Sequence, residues 1–387
     1  MKNSIGSALL ALVALLFTLA IGAPAQQSKN TDNGLPWAYG FATPAMPAAA
    51  GRPGGGGGGA AAGGGAGGGG AAGGGAAAGG GGGAAGAAAA AAAAGDAAEP
   101  PEDREKVRSL SGSTAQFSIK QISDNYGPAD WFPGDHPQMP DVVAHGRKPD
   151  VPACGFCHYP NGKGRPNNAG PAGLPAGYIL QQLEDFKDGA RKSWDPRKRN
   201  TAQMIAIAKG LNDEDKRAAA EYFASMKWTP WIKVVETDTV PKAKFVGGGG
   251  GLNMPLEGPD VGKEPLGQRI VEVPANPEDT EPLRSPRSGF IAYVPVGSLK
   301  RGEELVTKGG EGKTVACAAC HGVGLHGSNS SAPSLAGRSP SYLARQLLDI
   351  QHYTRNGPGG EVMRPVVEKL SEDDILAITA YVASLTP

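Results

Sequence analysis

All four cysteines of the 387-residue chain fall in two copies of one short pattern. Cys154-Gly155-Phe156-Cys157-His158 and Cys317-Ala318-Ala319-Cys320-His321 each place a histidine directly after a C-x-x-C pair, using two of only six histidines. This is the spacing of c-type haem attachment. Two thiols three positions apart bond covalently to the two vinyl groups on one porphyrin edge, and the next residue offers an imidazole to the iron. A single zinc site built from both pairs would have to span about 160 residues where ~15–20 is usual, and would leave both histidines without a role. A thioredoxin-like dithiol would need a βαβ context that the sequence does not show. No cysteine remains for a conventional disulfide framework.

The segments that follow the two motifs match each other, which marks an internal repeat. Tyr178, Gln182, Leu183 and Asp185 pair with Tyr342, Gln346, Leu347 and Asp349. Leu211 and Asp215 pair with Leu370 and Asp374, and the closing Tyr222–Ser225 pairs with Tyr381–Ser384. Tyr178, Gln182 and Phe186 recur at i, i+4, i+8, as do Tyr342, Gln346 and Ile350, so each segment predicts a helix. Asn212 and Ser371, each with an acid three positions on, predict N-caps that open the last helix of each copy. Between the matched helices one methionine per copy falls in register: Met204 and Met363, each seven residues before its leucine. A thioether is a soft, neutral ligand that favours ferrous iron, so these two are the candidate sixth ligands. Met46, Met139, Met226 and Met254 have no partner in the other copy and read as packing or loop residues. His136, His145, His326 and His352 also lack a counterpart and read as exposed or hydrogen-bonded residues.

Not all of the chain can build a core. From Gly51 to Ala98 it holds 24 Gly and 21 Ala, broken only by Arg52, Pro53 and Asp96. So little apolar side chain does not offset the entropy of ordering, and the stretch reads as disordered, with helix at 87–94 the exception. Ahead of it, Lys2, an apolar run from Ile5 to Ile21 and the small residues Ala23-Pro24-Ala25 read as a signal peptide cleaved after Ala25. An uncleaved anchor is the alternative, since ~17 residues is the short limit for a span. Lys+Arg 37 against Asp+Glu 37 gives no support for a nucleic-acid partner. Between His145 and Asn200 bases outnumber acids, ten to five, which predicts either a basic rim or a solvated loop. Residues 229–296 carry three short β-like runs, at 231–235, 269–273 and 290–294, and read as a small strand-containing insertion, either a clasp between domains or a docking surface.

The C-x-x-C-H motifs, the Tyr-x-x-x-Gln-Leu helices, the methionines and the closing Tyr-x-Ala-Ser helices resemble the class I cytochromes c, most closely the di-haem cytochrome c4 type. The resemblance covers His136–Trp228 and Gly297–Pro387. It implies a mainly α fold with two tandem cytochrome c-type haem domains. One haem would be held by Cys154, Cys157, His158 and Met204, the other by Cys317, Cys320, His321 and Met363. In such proteins a loop carbonyl orients the proximal imidazole. Pro333 is the candidate in the second copy; counting back from the tyrosine, the first copy has Ala169 there, with Pro171 nearby.

The expected organisation is a signal peptide at 1–25, a disordered Gly/Ala-rich segment at 26–115, haem domains at 116–228 and 297–387, and the insertion at 229–296. The expected function is that of a periplasmic, non-enzymatic carrier with two covalently attached haem c groups. It passes single electrons between redox proteins: a dehydrogenase or a membrane-bound respiratory complex on one side, an acceptor on the other. A di-haem peroxidase, or a haem-bearing subunit of a periplasmic oxidoreductase, is the alternative.

Overall fold

The computed structural model describes residues 34–41, 101–246, 251–328 and 332–387. The expected signal peptide, the Gly/Ala stretch with its helix at 87–94, and Met46 lie outside the described residues. The part from Leu35 to Pro387 forms one compact unit, mainly helical, with a small β region between two helical halves.

The first half is built on helices Ala176–Lys187, Arg199–Gly210 and Asp213–Ala224. The second uses Ser298–Lys308, Pro340–Gln351, Pro358–Val367 and Glu372–Ser384. Local chemistry sets their starts. Pro340 and Pro358 open their helices, where a missing N–H costs nothing. Ser371 forms a reciprocal capping box with Asp374, and the Asn212 side chain accepts from the Asp215 N–H. Met204 and Met363 each ride on a helix of their own, Arg199–Gly210 and Pro358–Val367. The second half is closed by the crossing of Ser298–Lys308 over Glu372–Ser384. At Gly302 a Cβ would lie 2.1 Å from the Ala377 carbonyl oxygen, so only glycine permits that approach.

In the insertion, Ile232–Glu236 runs parallel to Phe290–Val294, which pairs antiparallel with Val271–Pro274. These are the three expected runs, shifted by at most two residues. Phe290, Ala292 and Val294 alternate inward and are buried. Two hairpins complete the region, Thr239–Pro241 with Lys263–Pro265 and Ala243–Val246 with Leu252–Pro255. The insertion bonds to both halves. The buried Glu272 carboxylate accepts from Ser339 Oγ (2.8 Å) and the Ser341 N–H (3.0 Å) at the first turn of Pro340–Gln351. On the other side Arg284 donates to the Phe156 carbonyl within the first C-x-x-C-H turn. These contacts are those of a clasp.

Residues 26–115 carried no expectation of packed structure, yet two parts of them are folded. Val107–Ser109 pairs with Gln116–Ser118. Upstream, Leu35–Phe41 docks on the second half, with Trp37, Ala38 and Tyr39 buried among residues of helix Pro340–Gln351 and its neighbours. The Tyr39 hydroxyl donates to Asp349 (2.9 Å), Arg345 donates to the Ala38 carbonyl (2.5 Å), and Arg197 lies over the Phe41 ring. A segment this short has no periodicity to read; its aromatics find their surface only in the assembled fold.

Asp374 links local capping to overall stability. Burial pushes its pKa up, but the Lys313, Ser371 and Arg301 contacts outweigh this and hold it at about 2. An acid whose pKa is depressed by folding contributes stability above its unfolded value, near ~3.9, and loses it as pH falls toward the folded value. Urea unfolding at stepped pH is expected to show stability falling from pH 4 to pH 2, with a smaller fall in Asp374→Asn.

Candidate functional site: two paired pockets

Each C-x-x-C-H segment makes one short helical turn, Cys154–His158 in the first half and Ala318–His321 in the second. Both turns are followed by a left-handed residue. In the second copy it is Gly322, which adopts φ 76° freely; in the first it is Tyr159, at φ 62°. Tyr159 is held there by burial, by Arg165 donating to its hydroxyl (2.8 Å) and by packing in the Trp231–Phe290 cluster.

The histidines are oriented alike. Nδ1 of His158 donates to the Ala169 carbonyl (2.8 Å), and Nδ1 of His321 donates to the Pro333 carbonyl (2.9 Å). Burial lowers both pKa values, against the pull of those carbonyls, so the rings are neutral. A neutral imidazole that donates through Nδ1 presents a lone pair at Nε2, the arrangement an axial ligand needs. All four thiols are unpaired. Burial pushes Cys154 up to about 12 and Cys317 up to about 11, and raises Cys157. These are protonated thiols in apolar surroundings, without the thiolate character of a redox dithiol.

Two cavities meet these motifs. The first spans about 1100 Å³, part of it open to solvent, and is lined by Cys157, His158 and Met204, together with Phe186 and Ile207. The second spans about 1200 Å³, likewise part open, and is lined by Cys317, Cys320, His321 and Met363, among apolar residues such as Leu343 and Val382. Cys154 packs beside the first, in a cluster that also holds Met204. The structure therefore brings each motif together with the methionine matched to it by the repeat, and keeps the two cysteine pairs in separate pockets. His136, His145, His326 and His352 line neither cavity. His136 bonds to Asp130, and His352 stacks on Trp194 with ring centres 3.9 Å apart. Met139 and Met226 pack against the first core, and Met254 against the insertion.

Four arginines missed by the sequence reading complete the site. Arg191, Arg338, Arg345 and Arg355 are all buried, and none makes an ion pair with a carboxylate of the described residues. Arg191 and Arg345 line the first cavity; Arg338 and Arg355 line the second. Buried cations are normally paired; Asp349 lines the first cavity near Arg191 and Arg345 without an ion pair to either, and no carboxylate of the described residues lines the second, so both cavities hold guanidinium groups able to take a carboxylate. Apolar walls, free thiols, an imidazole lone pair, a thioether and unpaired guanidinium groups together fit haem, whose propionates are such carboxylates.

Arg191 and Arg355 also join the halves. Arg191 donates to Gln182 of its own half (2.9 Å) and to Tyr342 (3.1 Å) and Gln346 (2.7 Å) of the other. Arg355 reciprocates, donating to Gln346 (3.2 Å), Tyr178 (2.8 Å) and Gln182 (2.9 Å). Each arginine stands thirteen residues after the tyrosine of its copy, so the alignment that found the methionines held this signal too. The basic stretch is only partly at the surface: Arg191 and Lys198 are buried, whereas Lys192, Arg199 and Arg197, which pairs with Asp195, are exposed.

The pockets differ in cover. Val323, two residues past His321, is 92% exposed, and Cys320 and Val315 are exposed as well. The equivalent Pro160 is buried, and Arg284 of the insertion lies over the Phe156 ring at 4.2 Å.

Known proteins show matching patterns. Residues 143–227 match the family described as cytochrome c, and residues 297–382 match the one described as cytochrome c oxidase, cbb3-type, subunit III. Cytochrome c4 of Pseudomonas aeruginosa is 26% identical over 237 residues, 60% of this chain and 83% of that protein. A thiosulfate dehydrogenase electron acceptor of Stutzerimonas stutzeri is 24% identical over 62% of this chain and 82% of its own length. Cytochrome c-554(548) of Halomonas halodenitrificans is 36% identical over 75 residues, 19% of this chain and 90% of that protein.

Arg191→Leu removes a donor to three acceptors across the join, of which Gln182 and Gln346 keep Arg355 and the Tyr342 hydroxyl loses its arginine. A lost hydrogen bond of this kind costs about 0.5–1.5 kcal/mol. Faster amide hydrogen exchange is expected in both Ala176–Lys187 and Pro340–Gln351, not in the first helix alone.

Proposed function

Because the chain belongs to the di-haem class I cytochromes c, of the cytochrome c4-like kind, and so carries two covalently attached haem c groups in electron transfer, we propose that it is a periplasmic shuttle between respiratory or dehydrogenase partners. The observation that carries this reading is the doubling of the site: one attachment motif, one oriented imidazole and one thioether at each of two cavities.

In this reading Cys154 and Cys157 hold one haem through thioether bonds, and Cys317 and Cys320 hold the other. Each haem supplies a one-electron iron couple. His158 and His321 furnish a nitrogen ligand through Nε2, fixed by the Ala169 and Pro333 carbonyls. Met204 and Met363 furnish a sulfur ligand, which favours the ferrous state and raises the potential. With a histidine and a methionine to hold it, each iron would be left no position for substrate, and the chain would carry electrons rather than turn substrate over. Apolar walls keep water away and limit the reorganisation that accompanies a change of charge. Arg191 and Arg355 keep the two cavities adjacent.

Partners are redox proteins. The similarity to a protein named as an electron acceptor of a dehydrogenase supports a dehydrogenase as donor. The exposed turn at Cys320 and Val323 supports exchange through the second haem. No helix of the described residues is long and apolar enough to cross a membrane.

Optical redox titration decides between carrier and enzyme. In Met204→Ala one potential is expected to fall while the other holds. If the wild-type protein instead binds peroxide or carbon monoxide at an iron without displacing methionine, the peroxidase class is favoured. Intact mass is expected to show two haems, and one in the Cys154→Ala plus Cys157→Ala variant.

A further inference from the structure

The loops that carry the two proximal carbonyls are joined by a single side chain. Arg338 lies between Gly337 and Ser339, just before helix Pro340–Gln351, and only 5% of it is exposed. Its Nη1 donates to the Gly170 carbonyl (2.5 Å) and its Nη2 to the Ala172 carbonyl (3.1 Å), both in the first half. In its own half Nε donates to the Ser334 carbonyl (2.7 Å) and Nη2 to Ser334 Oγ (2.6 Å). Gly170 directly follows Ala169, the acceptor for His158; Ser334 directly follows Pro333, the acceptor for His321.

We propose that Arg338 is a positioning residue shared by the two haem sites, setting the orientation and electrostatics of both proximal histidines at once. The inference rests on the two-haem reading above. Two physical effects act on each site with opposite sign, and the charge sets the direction: a more basic Nε2 favours the oxidised iron, whereas a nearby cation disfavours it. Fixing the peptide next to each acceptor fixes that acceptor, and the strength of the Nδ1–H bond governs how basic Nε2 is. The guanidinium also places one positive charge near both sites in a medium of low dielectric, which disfavours the more positive, oxidised state of each. Its charge is not cancelled locally: its partners are carbonyls and a hydroxyl, and the Trp228 ring faces it at 4.4 Å. Burial without a carboxylate lowers its pKa to about 10, still well above neutrality. The device is one-sided. In the repeat, the position of Arg338 is occupied by Leu174, so the first half contributes acceptors and the second contributes the cation.

A purely local role predicts otherwise. If Arg338 only balanced a charge in the second cavity, which it also lines, its replacement would move one potential. The test is a redox titration of the holoprotein carrying Arg338→Gln or Arg338→Lys, with Met204→Ala and Met363→Ala assigning the two waves. In Arg338→Gln both waves are expected to fall together, each by about the 59 mV that corresponds to a tenfold change in a one-electron equilibrium. Arg338→Lys keeps the charge and is expected to recover part of the fall at both. Movement of one wave only, or of neither, overturns the proposal. Should the Gln variant fail to accumulate with two haems, the Lys variant decides alone: a smaller fall at both waves supports the proposal, and a fall at one or none overturns it. A wild-type protein whose intact mass shows fewer than two haems would instead overturn the two-haem reading.

Discussion

The reciprocal hydrogen bonding of Arg191 and Arg355 is the contact on which the arrangement depends. Each guanidinium accepts no substitute geometry: it must satisfy a glutamine in its own half and a tyrosine in the other. Buried polar networks are costly when incomplete and rigid when complete. This one is complete only when the halves meet in one orientation, so it specifies that orientation rather than merely tolerating it. The repeat explains how such a join arises. Tyr178 and Tyr342, Gln182 and Gln346, and Arg191 and Arg355 are the same positions used twice, so each half meets a near-copy of its own surface.

The insertion breaks that symmetry. It covers the first attachment turn with Arg284 and leaves the second bare. It also anchors at Glu272, whose carboxylate sits at the start of a helix belonging to the second half. A region with its own small sheet thus acts on both sites by shielding one and bracing the other. The halves share a chemistry but not an environment, and that is what two sites need if they are to differ in potential.

Much of the site was legible from residues because the repeat acts as an internal control. Coincidence in one copy is weak evidence, whereas register in both picked out Met204 and Met363; Pro333 followed from the family resemblance, and the first copy's counterpart stayed open between Ala169 and Pro171 until the His158 contact with Ala169. The helices of Tyr178 and Tyr342 followed from their spacing, and the strands of the insertion from their β-branched runs. What escaped depended on long-range contact. Nothing local marks Arg338 as a bridge, since its acceptors lie more than 160 residues away in sequence. Arg191 and Lys198 looked like surface charge because composition carries no information on burial. Trp37 and Tyr39 sit in a stretch whose surroundings offer no core, and their partners belong to the other end of the chain.

That last contact alters how the polypeptide is laid out. Phe41 packs under Arg197, and the chain is next described at Pro101. After scission between the two, Leu35–Phe41 would stand to the remainder as a peptide ligand, with its contacts to Asp349 and Arg345 left to hold it.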